Sequence, residues 1–158
     1  MTYMTLDSVR QPLDKFAEFD TDTKLALLWY GYLDLKENLA NANPADDVEV
    51  VGNALYDRVE SLSPEEQLQA QRDIAEGKDT PISREYGALS PAGALEFWLL
   101  LGKGMESGSI INVPEDYSLP EQTNEFVEMM KQLDFEERVN FTRNAIAPMG
   151  FEPEVSNN

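Results

Sequence analysis

DTDTKLALLWYGYLDL, Asp20–Leu35, is the stretch that decides the fold class. Leu25, Leu28, Trp29, Tyr32 and Leu35 recur at spacings of three and four, which places them on one face of a helix. Asp20 stands where an N-cap side chain is needed, and the helix is expected to run to about Asn38. Asn41, Asn43 and Pro44 then break the pattern.

The same grammar repeats outward from this helix. A second helix is expected from about Val48 to Glu60 on Val51, Leu55 and Val59. Ser63-Pro64-Glu65-Glu66 is a helix start: Ser63 caps, Pro64 needs no N–H there, and Glu66 reaches back. Gly77 is its left-handed stop. Thr80-Pro81 leads into a short segment around Ile82 to Gly87. Ser90-Pro91 opens a long helix to about Ser107, closed by Gly108. Ser109 to Leu119 reads as loop. Pro120 starts a helix carrying Phe126, Met129, Met130 and Leu133, and Asp134 with Glu137 caps a last one that stops by Gly150. Strand alternation is nearly absent. The expectation is an all-α fold of about six helices in a single domain, 1–158, with an N-terminal arm (1–19) and a frayed tail (152–158).

Composition removes whole classes of chemistry. The chain has 158 residues, no cysteine and no histidine. Serine and cysteine catalysis that relies on an imidazole base is thereby excluded, as are disulfides, thiolate chemistry and imidazole metal ligation. Thirty acidic residues against twelve basic give a net charge of -18, which repels nucleic-acid phosphates and anionic membrane surfaces. The longest strongly apolar run, Phe97 to Leu101, is too short to span a bilayer. With no secretory leader visible, an intracellular, cytoplasmic location is expected, with no nucleic-acid partner and no membrane span. Carboxylate pairs such as Glu65-Glu66 and Glu136-Glu137 are explained by helix N-termini, and Gly102-Lys103-Gly104 has the wrong spacing for a phosphate loop. No catalytic or metal-binding residues are expected, and the chain does not read as an enzyme.

Two helices are richer in aromatic groups than packing requires. On one, Trp29 and Tyr32 lie a turn apart beside Leu25 and Leu28. On the other, Leu95, Trp98, Gly102 and Met105 form one stripe. A glycine inside a helix costs roughly 0.5–1 kcal/mol relative to alanine, and close approach of a flat group to Gly102 is one reason to keep it. Gly104 offers a second such notch. If the two helices cross, Trp29, Tyr32 and Trp98 line a shared slot, and the loop with Ile110, Ile111, Val113, Pro114 and Tyr117 closes one end. The plain alternative is core packing, which aromatic stripes usually serve. Arg143, followed by Asn144, reads either as an ion-pair partner for an acidic residue or as a docking point for a protein.

The ordered series Leu25-Ala26-Leu27-Leu28-Trp29-Tyr30-Gly31-Tyr32-Leu33, Leu62-Ser63-Pro64, Asp79-Thr80-Pro81-Ile82, Phe97-Trp98, Gly102, Met105, Pro114-Glu115-Asp116-Tyr117, Arg143-Asn144 and Met149-Gly150-Phe151 resembles the N-terminal domain of the cyanobacterial orange carotenoid protein and its stand-alone relatives, the helical carotenoid proteins. The resemblance implies two interleaved four-helix bundles forming one carotenoid-binding domain. It implies a non-covalent keto-carotenoid such as canthaxanthin or echinenone. Tyr32 and Trp98 would pack on its terminal ring, and Leu25, Leu28, Trp29, Leu95, Leu99, Gly102, Met105, Val113, Pro114 and Tyr117 would line the site. Such a pigment is on the order of 30 Å long, about the length of a 20-residue helix.

The resemblance also implies partners. Arg143, with Asn144, would serve docking to the phycobilisome at the thylakoid surface, and a separate C-terminal-domain-like carotenoid carrier is a further expected partner. The regulatory C-terminal domain of the light-switched members is expected to be missing. Gln71 and Arg72 stand where two-domain members carry sulfur-containing residues, Leu99 replaces an aromatic, and Asn112 replaces a proline. The function implied is photoprotection, chiefly singlet-oxygen quenching or pigment carriage. Constitutive quenching of phycobilisome fluorescence is the alternative within the pigment class, and a pigment-free acidic helical adaptor is the alternative outside it.

Overall fold

A computed structural model describes residues 2–41, 50–114 and 117–151. Those residues form eight α-helices and one 3-10 turn, with no strand: α1 (Thr2–Glu18), α2 (Thr21–Asn41), α3 (Val50–Glu60), α4 (Pro64–Glu76), α5 (Pro81–Gly87), α6 (Pro91–Ser107), the turn Glu121–Thr123, α7 (Asn124–Lys131) and α8 (Phe135–Ile146). The expected break at Asn43 and Pro44 and the pair Glu115-Asp116 lie outside the described residues, as does the expected tail.

The helix boundaries follow local chemistry. Asp20 Oδ1 accepts the Thr23 backbone N–H at 2.8 Å, which caps α2. Ser63 and Glu66 form the reciprocal box that opens α4: Ser63 Oγ accepts the Glu66 N–H, and Glu66 Oε1 accepts the Ser63 N–H, each at 3.2 Å. Asp134 and Glu137 do the same for α8, at 2.8 and 2.9 Å. Gly77 ends α4 at φ 70°, where a side chain would be strained.

The chain forms two compact units, each assembled from non-contiguous segments. The first takes residues 1–46 and 113–147 and holds α1, α2, α7 and α8. The second takes 47–112 and 148–158 and holds α3 to α6. These are two four-helix bundles, interleaved along the sequence.

The first bundle is centred on phenylalanines. Phe16 on α1 meets the Phe141 ring edge-on at 5.6 Å, Phe19 meets Phe126 edge-on at 5.7 Å, and Phe126 lies 5.6 Å from Phe141. Such pairs add about 0.5–1.5 kcal/mol beyond their buried area. The stretch expected as an arm is therefore mostly helix, and α1 is held in place by Val9 and Phe16, both buried.

In the second bundle Leu55, Val59, Ile74, Phe97 and Leu101 are wholly buried. Gln67 on α4 binds the chain after α6 from both ends of its amide. Its Nε2 donates to the carbonyl of Ser109 at 3.0 Å, and its Oε1 accepts the Ile111 N–H at 2.8 Å. The chain after α8 returns to this bundle: the Gly150 N–H donates to the Ile74 carbonyl at 2.8 Å, and the Phe151 N–H to the Ser83 carbonyl at 3.0 Å. The Arg84 guanidinium lies 5.0 Å from the Phe151 ring.

Candidate functional site

In the first bundle, α2 presents the expected aromatic pair. The Trp29 and Tyr32 rings stack with centroids 5.9 Å apart and planes 23° apart. Tyr32 and Leu25 are buried, whereas Leu28 and Trp29 stay half-buried. Beside them, a Cβ added at Gly31 would have no neighbour within 4 Å. Half-buried Leu28 and Trp29 leave apolar surface on this helix with capacity for further contact.

In the second bundle, α6 carries the other stripe. Trp98 and Gly102 are buried, while Leu95, Leu99 and Met105 are half-buried. The Trp98 indole is fixed by a buried hydrogen bond, Nε1–H to the Tyr86 hydroxyl at 3.0 Å. Tyr86 also packs edge-on against Phe97 at 5.7 Å and Trp98 at 6.3 Å. Burial pushes the Tyr86 phenol above its ordinary pKa, and the Trp98 N–H offsets part of that rise by favouring the phenolate. Sequence reading missed Tyr86. The only signal for it was its place in the short segment between two Pro-started helices.

Gly104 was expected to notch the helix for a flat group. The structure fills that space with protein: a Cβ at Gly104 would meet the Tyr56 hydroxyl at 2.5 Å and Ile110 Cγ1 at 2.6 Å. Its role is the close approach of α3 and the following loop to α6.

The remaining expected residues lie apart from these stripes in the sequence. Val113 and Tyr117 are half-buried and Pro114 is exposed, and the Tyr117 N–H donates to the Pro114 carbonyl at 3.0 Å. Asn112 Nδ2 donates to the Met105 carbonyl at 3.3 Å, a bond that proline cannot supply. On α8, Arg143 is exposed, and Asn144 Nδ2 donates to the Asn140 carbonyl at 2.8 Å.

Other features are less specific. A groove of about 320 Å³ in the second bundle is lined by Leu62, Ala70, Pro81 and Ile82 together with Arg58, Glu66, Gln69, Asp73 and Thr80, and includes none of the expected site residues. Among the described residues, no group of three or more acidic side chains is placed to hold a metal ion. No described helix is long and apolar enough to cross a membrane.

Known proteins share this arrangement. A protein of Nostoc sp. strain PCC 7120, called an orange carotenoid-binding domain-containing protein, is 32% identical over 149 residues, covering 94% of this chain and 87% of its own. The orange carotenoid-binding protein of Synechocystis sp. strain PCC 6803 is also 32% identical over 149 residues, but this chain spans only 47% of its length. The Red Carotenoid Protein of Anabaena (Nostoc) sp. PCC 7120, solved binding canthaxanthin, superposes with a TM-score of 0.78 at 33% identity, covering 91% of this chain and 99% of that one. The Orange Carotenoid Protein of the same organism, also solved binding canthaxanthin, gives 0.84 at 29% identity, covering 92% of this chain and 46% of that one. The family described as "Orange carotenoid protein, N-terminal" matches residues 2–152. The chain belongs to the orange carotenoid protein N-terminal domain family.

Proposed function

We propose that this chain binds one carotenoid without a covalent bond and serves photoprotection, as a singlet-oxygen quencher or a pigment carrier. The observation that carries the reading is that each stripe sets a buried aromatic ring beside incompletely buried apolar side chains, Tyr32 beside Leu28 and Trp29 on α2 and Trp98 beside Leu95, Leu99 and Met105 on α6. Family membership supports the ligand class, since the Red Carotenoid Protein it resembles was solved binding canthaxanthin.

The residues suit an apolar rod. Tyr32 and Trp98 supply flat walls. Leu25, Leu28, Trp29, Leu95 and Leu99 supply aliphatic and aromatic surface, with Val113, Pro114 and Tyr117 from the loop. Gly102, which has no side chain, suits close approach of the pigment to the backbone, and the Met105 thioether adapts to an irregular outline. Each Å² of apolar surface removed from water contributes ~25 cal/mol, so binding needs no polar anchor. When bound, the polyene takes up excitation or singlet-oxygen energy and releases it as heat. The protein excludes water and fixes the pigment's shape.

The test is expression in a host that makes keto-carotenoids, followed by a visible absorption spectrum. A carotenoid band co-eluting with the protein is expected, and Trp98→Ala is expected to lower the pigment-to-protein ratio. A colourless, well-folded product would overturn the reading in favour of a pigment-free acidic adaptor.

A second reading within the pigment class, constitutive quenching of the phycobilisome, draws support from the exposure of Arg143 in the last turn of α8. Mixing the coloured protein with isolated phycobilisomes decides it. A shortened fluorescence lifetime that Arg143→Glu restores would support it, and an unchanged lifetime would remove it.

A further inference from the structure

Two glutamines of α4, one turn apart, are buried in the second bundle: Gln67 at 3% exposure and Gln71 at 2%. Their amides have opposite fates. Gln67 spends its donors on the carbonyls of Glu60, Leu62 and Ser109 and its acceptor on the Ile111 N–H. Gln71 Nε2 has no hydrogen-bond partner, and it is the buried side-chain polar atom in that condition among the described residues. A buried donor left without a partner costs about 1–3 kcal/mol, so a wholly apolar side chain of similar volume would suit the helix better. Gln67 therefore reads as structure. Gln71 keeps a donor that the folded chain does not use.

We infer that Gln71 Nε2 is a ligand contact: a donor that gives its hydrogen bond to an acceptor carried by the bound pigment. This rests on the carotenoid reading above and deepens it. An otherwise apolar site accepts hydrocarbon and oxygenated carotenoids alike, whereas one unspent N–H that meets a ring oxygen makes it selective. Two acceptors meet the description: a ring oxygen, with a conventional hydrogen bond, and the π-face of the polyene, with a weaker one.

The experiment compares the full chain with Gln71→Met, which keeps volume and removes the donor. Each is loaded separately with canthaxanthin, which carries ring ketones, and with β-carotene, which has no oxygen. The pigment-free variant is expected to melt at or above the pigment-free wild type, because the unpaired donor is gone. A lower melting point would show that the amide has a partner within the protein and would overturn the inference.

If the acceptor is a ring oxygen, the variant loses about tenfold of the preference for canthaxanthin, the effect of one hydrogen bond. The carbonyl stretch of bound canthaxanthin then rises in frequency. If the acceptor is the polyene, affinity for both pigments falls together and both visible bands move. Equal affinities and unmoved bands in the variant would overturn the inference and leave a buried water as the partner of Gln71. A wild type that takes up neither pigment would instead sink the carotenoid reading itself.

Discussion

Tyr86 couples the stability of the second bundle to the orientation of Trp98. Its hydroxyl accepts the indole N–H, and both rings are buried. Tyr86→Phe leaves that N–H without a partner, so a loss of about 1–3 kcal/mol is expected in urea unfolding. A shifted tryptophan emission spectrum should accompany it, since one of the two tryptophans changes surroundings. The same residue sets an alkaline limit. Its phenol is raised in the fold, mainly by burial, so above about pH 10 the unfolded chain ionises while the folded chain holds its proton. Stability is complete below that pH and falls as pH rises through the window above it. Tyr86→Phe should flatten this alkaline decline in melting temperature while lowering the plateau below it.

At the scale of single elements, the α3–α6 contact depends on the missing side chain of Gly104. Gly104→Ala gains helix propensity but drives a methyl group into Tyr56 and Ile110 from two sides. A net loss of about 1–3 kcal/mol is expected from overpacking, read from thermal or urea unfolding. The sequence made these elements legible where a cap or stop marked them. Asp20, Ser63, Asp134 and Gly77 announced their helix ends because capping depends on residues within one turn. α1 was not legible because Pro12 stands inside it, and Pro removes a helical N–H. Its helix is decided by Phe16 meeting Phe126 and Phe141, more than a hundred residues away. The aromatic stripes of α2 and α6 could be read from spacing. The Tyr86–Trp98 bond and the filling of Gly104 could not, because both depend on which helices become neighbours.

Over the whole molecule, a net charge of -18 on 158 residues opposes compaction. The ion pairs available to offset it, such as Lys131 with Glu128 at 3.7 Å, are exposed and individually weak. Raising salt from about 20 to about 300 mM should therefore raise the melting temperature at pH 7, by about 2–4 °C for each kcal/mol of repulsion screened. A melting temperature that falls with salt would show that attractive pairs outweigh the net repulsion. The interleaving of the two bundles has a separate effect, on the order of events during synthesis. The ribosome delivers α1 and α2 first, yet their partners α7 and α8 emerge only after all four helices of the other bundle. That other bundle in turn waits for Gly150 and Phe151 to close on Ile74 and Ser83. Each bundle therefore closes only after the chain has passed through segments of the other, so neither can finish folding as an independent early unit during synthesis.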